Sequence, residues 1–283
     1  MELHPDCKAY LEELRELAMP AATAGEVRAR YRALCARYAG QRADVRVEEN
    51  QGKVPCRMYG AAGPVMVWFH GGRMASGDLE THDSLCRTLA ARSGRRVLAV
   101  DYRLGPECKY PAALEDAREA VDFAAGLGEG VLAGGDSAGA ALALLAAAER
   151  WTELQALVLI YPMLDATQEL ASHREFEDGP GTSAKDIRLG YEWWLEPGTD
   201  LQDPRVSPRF LADLSCAPRT FVLTAGVDPL RDEGLELVER LRAEGREVEH
   251  WHYADHLHGF LTYPARFAAA GTVVEKIARF VSQ

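Results

Sequence analysis

The sequence has 283 residues, a formal net charge of −11 and 47% hydrophobic residues. These ordinary fractions exclude a disordered chain, and the acidic balance argues against a nucleic-acid-binding surface, which usually carries excess positive charge. At this length, a single α/β domain of about 250 residues with an added cap or insertion is as acceptable as two domains.

The amino terminus, the longest apolar run and the cysteines indicate the cellular compartment. Residues Met1 to Asp6 lack both the basic and the apolar region of a signal peptide. The longest apolar run, Ala138 to Ala148, is well short of the roughly 18 residues of a membrane span. The six cysteines are scattered singly, which is typical neither of a disulfide scaffold nor of a metal site. We therefore expect a cytoplasmic protein without a membrane span.

The first elements in chain order are two helices and a hairpin. Apolar residues recur at helical spacing in two segments separated by Pro20 and Gly25. Their members are Leu11, Leu14, Leu17 and Ala18, then Val27, Tyr31, Leu34 and Tyr38. Alternating residues on either side of Asn50-Gln51-Gly52 then predict a β-hairpin. Its strands carry Val45, Val47 and Glu49, then Val54, Cys56 and Met58.

Short apolar runs alternate with helical stretches in the rest of the chain. The runs are Val65 to Phe69, Arg96 to Val100, Val131 to Ala133, Leu157 to Ile160, Thr220 to Thr224 and Val248 to Tyr253. The helices are expected at Leu79 to Ser93, Ala112 to Ala125, Ala138 to Arg150, Asp232 to Glu244 and Gly271 to Val281. This alternation predicts a mostly parallel sheet with helices on both faces. Residues 165–203 interrupt it and indicate an insertion over the sheet.

The sharpest local feature is the segment Val131 to Gly139, in which an apolar run enters a G-x-S-x-G pattern and continues into a helix. Such a strand-turn-helix exposes a serine hydroxyl at the sheet edge, which makes Ser137 the candidate nucleophile. The amide of Ala138 then faces a developing oxyanion at the amino end of a helix. A glycine-rich turn with a helix-capping serine is the alternative interpretation.

A serine nucleophile needs a base, and in hydrolases of this type an acid and then a histidine follow it in the chain. Asp228 follows one predicted strand and His258 the next, so both lie where sites on parallel sheets form. Gly259 favours His258 over His256 because it allows the loop to present the imidazole. Asp165, also at a strand end, is the alternative acid. Asp232 is interpreted as an acid at the amino end of the next helix, and His250 and His252 as structural.

A donor loop follows the first strand of the sheet. His70-Gly71-Gly72-Arg73 is close to the H-G-G-G form in which successive backbone amides point at an oxyanion. A strand-ending turn is the alternative for these residues alone.

These motifs together resemble the hormone-sensitive-lipase group of α/β-hydrolases, the carboxylesterases of the fold-3 type, from about Val65 to the carboxyl terminus. The matching segments are His70 to Gly72, Gly77 to Asp83, Asp101 to Glu107, Pro111 to Asp116, Gly135 to Gly139, Asp228 to Asp232 and His258 to Phe260.

The resemblance implies a fold, a site and a reaction. The fold is a single α/β-hydrolase domain over residues 1–283, with residues 1–40 and 165–203 forming a helical cap. The implied site has Ser137 as nucleophile, His258 as base and then acid, Asp228 orienting the imidazole, and the amides of Gly71, Gly72, Arg73 and Ala138 as the oxyanion hole. A small-molecule ester would be cleaved through an acyl-enzyme, with no metal and no cofactor. A homodimer through the last strand and helix is a further expectation, and the apolar face of Val273, Val274, Ile277, Phe280 and Val281 serves either that contact or the sheet.

The donor loop departs from the family at Arg73, where a third glycine is common. Arginine does not easily adopt a positive φ, so either the loop keeps its shape and Arg73 reaches into the substrate region, or the loop is remodelled. In the first case the guanidinium recognises an anionic or carbonyl-rich substrate; the alternative is a salt bridge to Asp78 or Glu80. Trp193 and Trp194 line a substrate pocket or are simply packed.

The complete set of Ser137, Asp228 and His258 favours a carboxylesterase-type serine hydrolase. Two alternatives stay open. One is an enzyme of the same fold that performs acyl transfer, cyclisation or elimination on a biosynthetic intermediate, which the altered donor loop makes more plausible. The other is a non-hydrolytic ligand-binding member.

Overall fold

A computed structural model describes residues 2–17, 23–49, 52–128 and 130–283. Ala18 and Pro20 of the first predicted helix pair, and Asn50 and Gln51 of the hairpin turn, lie outside these ranges. The strands are β1 (Val47–Glu49), β2 (Cys56–Tyr59), β3 (Val65–Phe69), β4 (Arg96–Val100), β5 (Val131–Asp136), β6 (Leu154–Ile160), β7 (Arg219–Val227) and β8 (Val248–Leu257). The helices are α1 (Pro5–Leu17), α2 (Ala24–Tyr38), α3 (Asp83–Ser93), α4 (Ala112–Gly126), α5 (Ala138–Ala148), α6 (Ala171–Glu175), α7 (Ala184–Trp194), α8 (Arg231–Ala243) and α9 (Ala268–Val281).

Within the described ranges the strands form one sheet in the order β1-β2-β4-β3-β5-β6-β7-β8. The hairpin strands β1 and β2 are antiparallel to their neighbours, whereas β4, β3, β5, β6, β7 and β8 are mutually parallel. Side chains of α4, α5, α7 and α8 pack on one face of the sheet, and those of α1, α2, α3 and α9 on the other. The predicted α/β class is confirmed.

Burial explains why the inner strands were visible in the sequence. Every residue of β3 is buried, because helices cover both faces of a parallel sheet and select continuous apolar runs. The outermost strand, β8, is only half-buried along most of its length. The predicted helix at Leu79 begins later, at Asp83, and the predicted last helix begins earlier, at Ala268.

Residues 165–203 carry two helices, α6 and α7. Of these two helices, the sequence singled out only Trp193 and Trp194, at the end of α7. The predicted apolar face of α9 is buried against the chain's own sheet, with Val273, Ile277 and Val281 fully covered. That face therefore covers the sheet and is not available for a dimer contact. The homodimer stays a prediction. No helix in the described part of the chain is long and apolar enough to cross a membrane.

Candidate active site

Ser137 occupies a sharp turn between β5 and α5. Its φ of 55° lies in the left-handed region, and its backbone N–H donates to the carbonyl of Ile160 at 2.8 Å. The turn is tight, since a Cβ on Gly139 would lie 2.0 Å from the carbonyl oxygen of Phe69. The Ser137 side chain makes no capping hydrogen bond to α5. The helix-cap interpretation therefore does not describe this serine.

The structure brings Ser137, His258 and Asp228 into one hydrogen-bonded row. His258 Nε2 lies 2.9 Å from Ser137 Oγ, and His258 Nδ1 lies 2.8 Å from Asp228 Oδ2. The other oxygen of Asp228 accepts the N–H of Leu230 at 2.7 Å, and the carboxylate is fully buried. Tyr161 packs against the imidazole with ring centroids 4.6 Å apart. The row can move a proton from the serine to a histidine whose orientation the buried carboxylate fixes.

The alternative histidines have other partners. Nδ1 of His256 lies 2.7 Å from Asp255 Oδ1, and its ring packs at a tilt against His4 with centroids 4.7 Å apart. His250 and His252 both contact the hydroxyl of Thr224, at 2.9 Å each. None of these three rings reaches Ser137 by a hydrogen bond in the described structure.

The alternative acid, Asp165, and the helix-terminal acid, Asp232, both have other partners. Asp165 accepts hydrogen bonds from Thr167 at 2.6 Å and from the guanidinium of Arg209 at 3.1 Å. Asp232 is paired with Arg231 at 2.8 Å and accepts the N–H of Ser172. Asp228 is thus the acid that the structure places against His258.

One of the four expected oxyanion donors is already engaged. The N–H of Gly71 donates to Oδ1 of Asp136 at 3.1 Å, so it is not available to an oxyanion, and the expectation for Gly71 is corrected. The N–H groups of Gly72, Arg73 and Ala138 have no acceptor among the described residues. These three amides are the candidates for the oxyanion hole.

The donor loop keeps a left-handed shape at the position where the sequence departs from its family. Arg73 and Met74 have φ values of 59° and 60°. The N–H of Ser76 donates to the carbonyl of Gly72 at 2.9 Å, and a Cβ on Gly72 would lie 2.0 Å from the carbonyl oxygen of Ser76. Arg73 therefore adopts the conformation that the sequence suggested it would resist, at a cost of about 1–3 kcal/mol.

The guanidinium of Arg73 pairs with neither of the expected acids. Its Nη1 lies 3.2 Å from Oδ1 of Asp186, at the start of α7. Asp78 and Glu80 are instead paired with Arg32 and Arg57. The helix α7 packs directly on the loop, since a Cβ on Gly190 would lie 2.6 Å from Arg73 Cβ. The side chains of Arg73 and Asp186 are 23% and 42% exposed, and such a pair contributes only about 0–1 kcal/mol.

A cavity of about 220 Å³ borders Ser137 and His258. Its wall combines the donor loop with α1, α2 and the insertion. The residues from the helices and the insertion are Tyr10, Leu14, Val27, Arg30, Tyr31, Leu34, Gly181, Thr182, Asp186 and Leu189. The substrate-binding prediction for Arg73 agrees with this wall.

The cavity does not support the substrate-binding prediction for Trp193 and Trp194. Neither residue is among the described residues that line the cavity. Trp194 is fully buried on the core side of α7 and meets the ring of Tyr110 edge to face, with centroids 5.3 Å apart. The backbone carbonyl of Trp193 abuts Gly105. These contacts hold the end of α7 against the segment between β4 and α4, and Asp186 and Leu189 line the cavity instead of the tryptophans.

Two clusters of buried polar side chains that the sequence did not predict support the site. The first contains Asp136, His82 and His70. Asp136 lies against Gly71, and its Oδ1 is 3.0 Å from Nε2 of His82. Burial opposes its ionisation, but His82, His70 and the Gly71 amide outweigh burial and lower the pKa of Asp136. Burial lowers the pKa of His70 to about 4, so this ring is neutral near pH 7. The only signal for this cluster was the acid in the Gly-Asp-Ser sequence.

The second cluster is a buried pair, and it holds the insertion against the loop that carries Asp228. His173 Nε2 on α6 lies 2.7 Å from Glu233 Oε1 on α8, and burial raises the pKa of Glu233 to about 7. The neighbouring Ser172 hydroxyl donates to the carbonyl of Pro229 at 2.7 Å. Nothing in the local sequence links residues so far apart in the chain.

Known proteins resemble this chain in sequence. A family profile described as alpha/beta hydrolase fold matches residues 66–262. The carboxylic ester hydrolase LipN of Mycobacterium tuberculosis is 35% identical over 260 residues, which cover 83% of this chain and 69% of that protein. The ethyl acetate hydrolase of Pseudomonas putida is 31% identical over 282 residues, which cover 88% of this chain and 89% of that protein.

Solved structures agree with the sequence relatives. An esterase of Pyrobaculum calidifontis superposes with a TM-score of 0.90 at 32% identity, covering 99% of this chain and 98% of the esterase. An esterase from the bacterial hormone-sensitive lipase family superposes with a TM-score of 0.89 at 26% identity, covering 100% of this chain and 99% of that structure. The chain therefore belongs to the α/β-hydrolase family, within its hormone-sensitive-lipase-like group of esterases.

Proposed function

We propose that the protein is a serine hydrolase that cleaves small or medium-sized carboxylic esters through an acyl-enzyme intermediate. The observation that carries the proposal is the row from Ser137 Oγ to His258 Nε2 at 2.9 Å and from His258 Nδ1 to Asp228 Oδ2 at 2.8 Å, at the wall of a cavity. Relatives named as ester hydrolases support the same reaction class.

The first half-reaction forms the acyl-enzyme. Ser137 Oγ attacks the ester carbonyl carbon while His258 Nε2 takes the hydroxyl proton, and the Asp228 carboxylate stabilises the resulting imidazolium. The carbonyl oxygen becomes an oxyanion that accepts hydrogen bonds from the amides of Gly72, Arg73 and Ala138. The tetrahedral intermediate then expels the alcohol, which leaves with the proton from His258.

The second half-reaction releases the acid. A water molecule takes the place of the alcohol, His258 removes its proton, and the resulting hydroxide attacks the acyl carbon. The same amides bind the second oxyanion, and Ser137 recovers its proton from His258 as the acyl group leaves. Water is the second substrate, and the catalytic groups in both half-reactions are the three side chains and the three amides.

The cap and the size of the substrate follow from the wall of the cavity. We assign the cap to residues 1–40 and 165–203 of a single hydrolase domain, because α1, α2 and the insertion line the cavity opposite Ser137. A cavity of about 220 Å³ is small, since pockets for drug-sized ligands span roughly 300–1,000 Å³. Short acyl and alcohol groups fit this volume, as the name of the ethyl acetate hydrolase also suggests for this chain.

The experiment compares hydrolysis of p-nitrophenyl acetate and butyrate by the wild type, Ser137→Ala and Ser215→Ala. Ser215 is an exposed serine before the amino end of β7, away from the site, and provides the matched control. We expect Ser137→Ala to lose roughly 10⁴-fold or more in kcat and Ser215→Ala to resemble the wild type. Equal activity of all three proteins would refute the proposal. A wild type that binds these esters without turnover would point to the binding-protein alternative.

A further inference from the structure

Arg73 places a cation beside the proposed reaction centre. It lies in the donor loop and lines the same cavity as Ser137 and His258, and its guanidinium lies against Asp186, which lines that cavity too. A glycine would adopt the φ of 59° at this position without strain. The backbone conformation therefore gives no reason for an arginine at this position, and any advantage of Arg73 over glycine lies in its side chain.

The guanidinium is only partly engaged by the protein. Nη1 lies 3.2 Å from Oδ1 of Asp186 and 3.5 Å from the Asp186 carbonyl oxygen. Throughout the described ranges, Arg73 has no polar partner besides Asp186. An arginine carries five N–H donors, and only Nη1 has an acceptor here, so the edge formed by Nε and Nη2 meets no acceptor among the described residues. That edge is the fork that binds a carboxylate through two parallel hydrogen bonds.

A purely structural tie between Arg73 and Asp186 accounts poorly for this arrangement. Oδ2 of Asp186 already accepts the hydroxyl of Ser183 at 2.7 Å and its N–H at 3.0 Å, which caps α7 without Arg73. Close packing at Gly190 also joins α7 to the loop without any charge. The ion pair itself is half-exposed and weak.

The charges around the cavity favour an anionic ligand. Arg30 on α2 lines it together with Arg73. Two carboxylates also border it, Asp186 and Asp136. Asp136 is 2% exposed and directed at the Gly71 amide and His82, so it presents little charge to a ligand. Asp186 holds one side of the guanidinium and leaves the fork to the substrate.

We propose that Arg73 selects esters that carry a carboxylate close to the scissile bond, such as half-esters of dicarboxylic acids or acyl esters of hydroxy acids. The proposal rests on the hydrolase function and names its substrate class. Because the Arg73 amide is a proposed oxyanion donor, the substrate carboxylate lies within one arginine side chain of the reacting carbonyl. Binding of this carboxylate affects mainly KM.

The test measures kcat/KM on two matched pairs of esters. Monomethyl adipate against methyl hexanoate places the carboxylate on the acyl side, and 4-acetoxybutanoate against butyl acetate places it on the alcohol side. The quantity of interest is the ratio of kcat/KM for the anionic ester to that for the neutral one. The variants are Arg73→Gln, which removes the charge and the guanidinium but keeps the backbone amide and a polar side chain, Arg73→Lys, which keeps the charge but loses the fork, and Asp186→Asn.

We expect the wild type to prefer the anionic member of at least one pair. Arg73→Gln should lower the ratio by about tenfold or more, mainly through KM, and Arg73→Lys should lower it less. Asp186→Asn should raise it, because the competing carboxylate is gone. A structural tie predicts instead that Arg73→Gln and Asp186→Asn act alike, since both break the pair. Circular dichroism of each variant confirms that it folds.

Three results would overturn the inference. The first is a wild type that prefers the neutral ester in both pairs, and the second is an unchanged ratio in Arg73→Gln. The third is a parallel fall of the ratio in Arg73→Gln and Asp186→Asn. In each of these cases neutral esters are still hydrolysed and the proposed function stands. Absence of hydrolysis of all four esters, together with an unreactive Ser137, would refute the proposed function as well.

Discussion

The backbone N–H of Gly71 donates to the carboxylate of Asp136 at 3.1 Å, which joins the donor loop to the residue directly before the nucleophile. The two segments are 65 positions apart in the chain, and both are buried at this contact. This buried carboxylate therefore helps to fix the position of the remaining amides relative to Ser137, together with the pairing of β3 with β5.

Replacing Asp136 should loosen this connection. In Asp136→Ala the Gly71 N–H is buried without an acceptor, which costs about 1–3 kcal/mol in the free energy of unfolding and more because the lost partner is charged. Asp136→Asn keeps an oxygen that can accept the hydrogen bond and should lose less. We expect kcat for p-nitrophenyl butyrate to follow the same order. Urea denaturation and steady-state kinetics check both, and equal losses in the two variants would contradict this role.

Replacing glycine by alanine should destabilise the protein at Gly139 and stabilise it at Gly271. Gly139→Ala would place a Cβ 2.0 Å from the Phe69 carbonyl oxygen, and backbone cannot yield without distorting the turn at Ser137. Gly271→Ala meets no atom within 4 Å on α9 and should stabilise the helix by about 0.5–1 kcal/mol. Thermal unfolding and ester turnover of the two variants provide the comparison. A Gly139→Ala protein with wild-type stability and turnover would show that the turn is not as tight as described.

The buried ring of His70 predicts how stability depends on pH. Its pKa falls to about 4 in the folded protein, from 6.5. Between these values the unfolded chain takes up a proton that the folded chain does not, so the free energy of unfolding falls as the pH falls. The full loss is roughly 3 kcal/mol and is reached below the folded pKa.

The measurement is the difference in unfolding free energy between the wild type and His70→Asn as the pH is lowered through this range. Asparagine can still donate to the Gly71 carbonyl, as Nδ1 of His70 does at 2.9 Å. Burial raises the pKa of Glu233 to about 7, so its contribution is lost in the opposite direction, as the pH rises from 4.5, and it cancels in the difference. Parallel curves for the two proteins would contradict the neutral, buried ring.

The pair of His173 and Glu233 should matter more than its neighbour Ser172. Both side chains of the pair are 1% exposed or less. Removing His173 leaves the buried carboxyl of Glu233 without this hydrogen-bond partner, which costs about 1–3 kcal/mol and more to the extent that the carboxyl is ionised. Ser172→Ala removes one neutral hydrogen bond of about 0.5–1.5 kcal/mol. Urea denaturation of His173→Ala and Ser172→Ala near neutral pH should show the larger loss for His173, and a smaller one would refute the pairing.

The sequence predicted the sheet and the row of three residues because both depend on short-range signals. Strands covered on both faces are continuous apolar runs, as in β3, and sites on parallel sheets follow the strand ends, as Asp228 and His258 do. The helix α6 has five residues and too little periodicity to be recognised. The predicted strand from Thr220 to Thr224 extends to Val227 because the parallel neighbour β8 continues its pairing.

The parts of the site that the sequence did not predict depend on contacts between distant segments. Asp186 meets Arg73 across 113 positions, and the close packing of α7 on the donor loop at Gly190 brings the two together. The aromatic residues of α7 suggested a pocket, yet the tertiary fold turns Trp194 into the core and Leu189 to the cavity. Gly71 follows its family motif, and its amide is nevertheless occupied by Asp136.

The most direct measurement is the covalent labelling of Ser137 by a fluorophosphonate, followed by mass spectrometry of the labelled peptide. We expect one label per chain on Ser137 in the wild type, strongly slowed labelling in His258→Ala because the base is missing, and none in Ser137→Ala. Labelling at the wild-type rate in His258→Ala, or on another residue in Ser137→Ala, would contradict a nucleophile activated by His258 and Asp228.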